Sequence, residues 1–307
     1  MNADQPAAGP PSMLSARVLI PFMLTGTIWG STWFVITGQI SDVPAAWGVF
    51  YRFALATPAL FLVGALMKNR LLLSRPEHLL ALGVGIAQFS GNFLFVYNAE
   101  RFITSGIVAV MFALLMVPNA LFARIFIGER VQGGFITGSL VAIAGVALLL
   151  VHEWEVAPLG GNVGLGIALA IGGMLAASLA NVVQANPLGR GVPMVSLLAW
   201  AMLYGTIFDL GFAWVTAGPP PLPTAGTFWA GTAYLAIIGS VVTFPLHYNL
   251  VREIGAGRTA YNGIVTVCVA MLLSTLFEAY QWTALSAAGA LLALAGMGLA
   301  LRSKQRR

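Results

Sequence analysis

The sequence predicts an all-α integral membrane protein: ten transmembrane helices, arranged as two inverted five-helix repeats around a central cavity, with both termini cytoplasmic. Three observations predict it. The 307 residues are 59% hydrophobic and only 8% charged, where an ordinary soluble domain carries about 25% charge; so little charge cannot coat a water-facing surface. Ten apolar stretches each approach the roughly 20 helical residues that cross a bilayer core of about 30 Å. Finally, short patterns recur at a nearly constant separation close to half the chain length.

Residues 1–16 are polar, contain Pro6, Pro10 and Pro11, and read as a disordered N-terminal tail. No basic segment precedes the first apolar run, so a signal peptide is not expected. The first repeat, 17–151, holds stretches at 17–38, 43–67, 78–98, 102–124 and 131–151. The second, 163–301, holds 163–184, 193–217, 226–250, 257–277 and 281–301, and a basic tail, 302–307, follows. Breakers punctuate them: Asp42-Val43-Pro44, Ser74-Arg75-Pro76, Pro158-Leu159-Gly160-Gly161 and Pro219-Pro220-Pro221. Helices of this length satisfy their own backbone hydrogen bonds in lipid, and the short gaps leave no room for a soluble domain.

Lysine and arginine set the orientation. With the N-terminus inside, thirteen of the fifteen basic residues fall in cytoplasmic segments; Arg101 lies outside and Arg52 within a span. The outer loops carry Asp42, Glu100, Glu153 and Glu155. The net charge of +5 therefore reflects cytoplasmic loops rather than a nucleic-acid partner.

The repeat is visible in several places. Tyr97-Asn98-x-x-Arg101 recurs as Tyr248-Asn249-x-x-Arg252, offset by 151 residues. Gly26, Ser31 and Val35 correspond to Gly173, Ser178 and Val182 at 147, and Val43-Pro44 to Val192-Pro193 at 149. Gly138 and Gly145 correspond to Gly289 and Gly296 at 151. Five spans per half is an odd number, so the second half must lie inverted, as in many secondary transporters that hold substrate near the midplane.

Trp29-Gly30-Ser31-Thr32-Trp33-Phe34-Val35-Ile36, Arg52-Phe53, Pro118 and Gly128-Glu129 resemble the EamA type of the drug/metabolite transporter superfamily over nearly the whole chain after residue 16. The overall pattern is most similar to the YddG-type exporters of aromatic amino acids. That resemblance implies a ten-helix basket with a central cavity, export of aromatic amino acids and related compounds, and a bacterial inner membrane location. The second half departs from the pattern: Val267 stands where Pro118 would align, and Glu278 lacks a preceding glycine.

Other chemistries find no support. The two lysines, Lys68 and Lys304, do not follow a glycine-rich loop, so no Walker A motif exists. The histidines are His78, His152 and His247, without metalloprotease spacing, and the single cysteine is Cys268. Neither an enzyme, a cofactor nor a metal site is expected.

What remains are polar residues within spans, which tend to face the bundle interior. Gln88, Asn92 and Phe95 share one helical face at i, i+4, i+7; Ser240, Thr243 and His247 share another at i, i+3, i+7. Ser178 and Asn181 form a third pair, and the fourth span offers Met111, Leu115 and Asn119 beside Pro118. These faces either line a mostly apolar cavity or hydrogen-bond between helices. Pro118 and Pro245 are candidate hinges, and His247 either packs near the cytoplasmic end or relays protons. Trp29 and Trp33, at i, i+4, could stack on an aromatic substrate, as could Trp200 unless it faces lipid. Trp47, Trp154, Trp214, Trp229 and Trp282 read as an interfacial belt.

Arg52 and Asp209 lie at similar depth, about 12–13 Å from the outer face at 1.5 Å per residue. They form a direct pair, or each reaches water separately, or Arg52 holds a substrate carboxylate. The expected function is a secondary transporter exporting small amphipathic molecules, aromatic amino acids first. A multidrug or cationic-compound exporter, with Asp209 as counter-charge, is the alternative. The expected partners are a small-molecule substrate and the lipid bilayer, in a monomer or homodimer.

Overall fold

The computed structural model describes residues 14–126, 128, 131–156, 162–254 and 259–304. Residues 1–13 of the expected N-terminal tail (1–16), 305–307 of the expected basic tail (302–307), the expected break at 158–161, Glu129, Arg130 and Arg258 lie outside them, as do the side chains of Tyr248 and Arg252. The described residues form helices joined by short connections. In chain order these are α1 Ala16–Asp42, α2 Ala45–Leu66, α3 Arg75–Ala99, α4 Ser105–Phe126 and α5 Gly133–Val156. Then come α6 Val163–Gln184 and α7 Met194–Ala217. Next is α8, which runs through Gly226–Ala233, Tyr234–Val242 and Thr243–Ile254, and last are α9 Asn262–Phe277 and α10 Ala284–Lys304. Nine of them contain a segment long and apolar enough to cross a membrane; α9 is apolar but shorter. The chain is thus a multi-pass membrane protein.

The helix ends follow local chemistry. Ser74 and Glu77 form a reciprocal capping box around Arg75-Pro76 at the start of α3. Pro44 and Pro193 precede α2 and α7, where extended φ/ψ ends one element and fixed φ opens the next. Asn162 accepts from the Leu165 amide to start α6, and Gly218, at φ 74°, releases the chain from α7. A short helix, Pro187–Gly191, capped by Asn186, lies between α6 and α7, in the gap between two expected spans.

Lipid tails are as apolar as leucine, so helices associate through close packing rather than hydrophobic exclusion. Glycines make that possible. A Cβ on Gly145 of α5 would collide with the Ala293 backbone of α10 and sit 2.6 Å from the Gly289 carbonyl oxygen. The same relation recurs with the helices exchanged: a Cβ on Gly296 would collide with the Ala142 backbone and sit 2.7 Å from the Gly138 carbonyl oxygen. α1 lies as tightly on α9 through Gly26 and Gly30, and α3 on α7 through Gly85 and Gly205.

Three spans depart from regular α-helix. Gly85–Asn92 in α3 and Tyr234–Val242 in α8 are π-helical, each turn taking in one extra residue. In α4 the helix breaks at Leu114–Leu115. Pro118 is the cause: it has no N–H for the Leu114 carbonyl, which instead accepts from Val117 at 2.8 Å. α8 continues through Pro245 without a break.

Candidate functional site

A cavity of about 740 Å³ occupies the middle of the bundle, within the range of small-molecule sites. Trp29, Trp33, Gln88, Asn92, Asn119, Asn181, His247 and Arg52 all line it. Two tryptophans of α1 set its aromatic wall. Trp29 donates its ring N–H to the Gly239 carbonyl, 3.2 Å away, and packs on Phe244 and His247 at centroid distances of 5.6 and 4.7 Å. Trp33 packs on Phe112 at 5.0 Å. Asn181 donates to Asn119 across the cavity wall at 3.5 Å and accepts from Gln184 at 3.5 Å.

The other predicted wall residues lie elsewhere. Phe95 is 40% exposed on the bundle surface, against Gly172. The π-helical stretch is the reason: its extra residue rotates the positions after Asn92, so Phe93 and Val96 reach the cavity instead. Ser240 and Thr243 are fully buried and satisfy the widened turns of α8, donating to the Leu235 and Ile238 carbonyls, five residues back, at 2.9 and 2.5 Å. Met111 and Ser178 are buried in helix packing, with Ala177 facing the cavity in place of Ser178. Pro118 and Pro245 also lie off the wall.

Arg52 is 2% exposed and does not pair with Asp209. Among the described residues the ion pairs are Arg17–Glu253 and Arg70–Glu77. Arg52 donates through Nε and Nη2 to the Ser240 hydroxyl at 3.3 and 3.2 Å, and its guanidinium lies 4.4 Å from the Phe93 ring centroid. Its Nη1 has no hydrogen-bond partner among the described residues. Asp209, fully buried, lies beside Ser90 and off the cavity wall. Equal depth fixed their height in the bundle, but the direction each side chain takes around its helix separated them.

Tryptophans divide as well. Trp154, Trp214, Trp229 and Trp282 are exposed, as an interfacial belt requires, whereas Trp47 is fully buried against Phe50, Tyr51 and Trp214. Trp200 donates to the Leu71 carbonyl at 2.8 Å and packs on Phe61 and His78, away from the cavity.

The sequence reading missed several wall residues: Thr32, Phe112, Gln184, Arg190, Asn262 and Thr266. Some carried a signal. Gln184 follows Asn181 by one helical step, and Asn262 and Thr266 repeat at i, i+4 on α9. Asn262 also donates to the Phe22 carbonyl at 2.5 Å, tying α9 to α1. The charged residues on the wall are Arg52 and Arg190, with no carboxylate among those that line it.

The profile of the EamA-like transporter family matches this chain twice, at residues 17–151 and 164–302. The chain belongs to the EamA-like transporter family. Among curated members, it is 27% identical to Protein PagO of Salmonella typhimurium over 46% of both chains. It is 23% identical to an uncharacterized transporter of Buchnera aphidicola over 45% of that protein, so these two matches span less than half of either relative. An uncharacterized transporter of Archaeoglobus fulgidus is 23% identical over 93% of this chain and 99% of its own. A probable terminal-alkyne amino-acid exporter of Streptantibioticus cattleyicolor is 24% identical over 94% of each. A solved crystal structure superposes with a TM-score of 0.67 over 95% of this EamA-like chain and 99% of that one, at 19% identity, a likeness of fold.

Proposed function

We propose that the protein is a secondary transporter that exports aromatic amino acids and related small amphipathic molecules across the bacterial inner membrane by alternating access. The observation that carries the reading is the central cavity: aromatic walls at Trp29, Trp33, Phe93 and Phe112, amide side chains at Gln88, Asn92, Asn119 and Asn181, and a buried arginine whose Nη1 has no hydrogen-bond partner among the described residues. Stacking on tryptophan suits an aromatic side chain, and guanidinium suits the α-carboxylate. A wall with two arginines and no carboxylate favours this over a cationic compound, because Asp209 is not there to act as counter-charge.

The two five-helix halves are inverted repeats that rock around this cavity. The twofold match to the family profile, the π-helical stretches offset by about 150 residues in α3 and α8, and the exchanged glycine contacts of α5 and α10 support that. The wall extends to Arg190, Thr259 and Leu301, at the end that the lysine and arginine bias assigns to the cytoplasm, so this state faces inward. Similarity to an amino-acid exporter points the same way.

The test is counterflow. Liposomes holding purified protein and unlabelled phenylalanine should take up labelled phenylalanine without ATP, with competition from tryptophan and tyrosine but not lysine. Folded protein that gives no counterflow, or that is competed only by organic cations, overturns the aromatic amino-acid reading.

A further inference from the structure

A second pocket, of about 560 Å³, lies at the opposite end of the bundle from Arg190, where α3 passes into α4. Three carboxylates meet there: Glu100 after α3, Glu153 on α5 and Glu278 after α9. Two of them have defined work at the start of α4. Glu153 accepts from the Thr104 amide at 2.8 Å, and Glu278 accepts from the Ser105 amide at 3.2 Å and the Ser274 hydroxyl at 2.6 Å. Carboxylates are favoured at a helix N-terminus, whose free amides and dipole are positive, so both have a structural role there.

Glu100 has no such role. It lines the same pocket, is only 7% exposed, and neither carboxylate oxygen has a hydrogen-bond partner among the described residues. A buried carboxylate without a partner is too costly to stay charged and takes up a proton instead. Its surroundings agree: burial first, then the charge of Glu278, push its carboxyl well above the ordinary carboxylate range, opposed by the charge of Arg52. The other ionisable groups around the pocket are Arg101 beside it, His152 on α5 and Tyr280 after α9. His152 is held by the Gln281 carbonyl and the Thr283 hydroxyl. Tyr280 is pushed up to about 12 by burial and stays neutral. No group of three or more His, Cys, Asp or Glu among the described residues is set to hold a metal ion, so the fitting ligand is a proton.

We propose that this pocket is a proton-binding site: Glu100 carries a proton while this end of the bundle is shut, and releases it when the end opens. Opening hydrates the carboxyl and returns it towards about 4.3. The shut state then binds a proton that the open state does not. Low pH favours closure, and the population of open protein rises up to tenfold per pH unit until pH passes the shut-state value. The opening half of this statement rests on the alternating-access reading; proton occupancy does not.

Two measurements on the full-length protein in lipid test it. In an Asp209→Asn background, which removes the other buried carboxyl without a hydrogen-bond partner among the described residues, infrared spectroscopy at neutral pH should show the C=O band of a buried carboxylic acid, lost on adding Glu100→Gln and kept on adding Glu77→Gln. Hydrogen exchange of the amides at 104–110, each rate divided by its intrinsic chemical rate, should show protection falling as pH rises in the wild type and staying flat in Glu100→Gln. In that background, an acid band that survives Glu100→Gln, or no band before it, overturns the site. A pH slope unchanged in Glu100→Gln overturns its link to opening. Neither result depends on the substrate, so a negative counterflow experiment and a negative proton site are told apart.

Discussion

Replacing Arg52 by methionine should separate stability from transport. In the resting structure the guanidinium makes two long hydrogen bonds to Ser240, 3.2 and 3.3 Å, and lies 4.4 Å from the Phe93 ring centroid. A hydrogen bond to a charged group contributes about 1.5–3 kcal/mol, and a desolvated cation–π contact about 2 kcal/mol. Against these stands the cost of burying the guanidinium, several kcal/mol in its own right. Ser240 keeps its bond to the Leu235 carbonyl, so the substitution orphans no group. Arg52→Met should therefore unfold within about 1–2 kcal/mol of the wild type, as buried-charge-to-apolar replacements commonly do. Substrate affinity is another matter. Losing a charge-assisted bond to a carboxylate, about 1.5–3 kcal/mol, weakens binding roughly tenfold to a hundredfold. Thermal unfolding in detergent measures the first quantity, and the concentration dependence of phenylalanine counterflow the second. A variant that binds phenylalanine as tightly as the wild type would refute Arg52 as the carboxylate partner. One that binds normally but unfolds far more easily would make it a packing residue.

The other expectations follow from the same geometry. Gly145→Ala should cost about 1–3 kcal/mol of stability, because the methyl group meets backbone of α10 that cannot give way; Gly298→Ala, with nothing within 4 Å of its Cβ, should be neutral or slightly stabilising. Thermal unfolding of the pair decides it, and equal midpoints would contradict the close crossing. Ser240→Ala should destabilise by about 1–3 kcal/mol, in contrast to Arg52→Met, because it leaves the Leu235 carbonyl and Arg52 without their shared hydroxyl. Pro118→Ala supplies the N–H at position 118 that an α-helical bond to the Leu114 carbonyl needs, in place of the tighter bond from Val117. It should straighten α4 and slow turnover with little change in half-saturating substrate; unchanged turnover would remove the break from the transport cycle. Trp33→Ala opens the aromatic wall beside Phe112 and should weaken phenylalanine and tryptophan competition several-fold, read as a shift in half-maximal inhibition.

Much of the site was legible because membrane solvent is unforgiving. A polar side chain in a span either faces the bundle interior or loses its hydrogen bonds, so type alone narrowed Gln88, Asn92, Asn119, Asn181 and His247 to a cavity wall or a helix–helix contact, and the structure puts all five beside the cavity. The tryptophan pair of α1 followed from a spacing of four in a regular helix. Phe95 failed because that spacing was carried through the π-helical Gly85–Asn92, whose departure from α-helix no local residue pattern had signalled. Ser240 and Thr243 have the right polarity, but the widened turns of α8 consume their hydroxyls.

By itself, then, the sequence determined the solvent, the number of apolar stretches, their breaks and the glycine positions repeated 151 residues apart, because each depends on composition or on neighbours a few residues away. The tertiary structure alone decided which polar groups are spent on the backbone and which face open space. It turned Arg52 towards Ser240 rather than Asp209 and left Glu100 buried with no hydrogen-bond partner among the described residues. The physical reason is that sequence position sets how deep a side chain sits in the membrane, while its direction around the helix axis, and so its partner, is set by local helix geometry and by the helices packed against it.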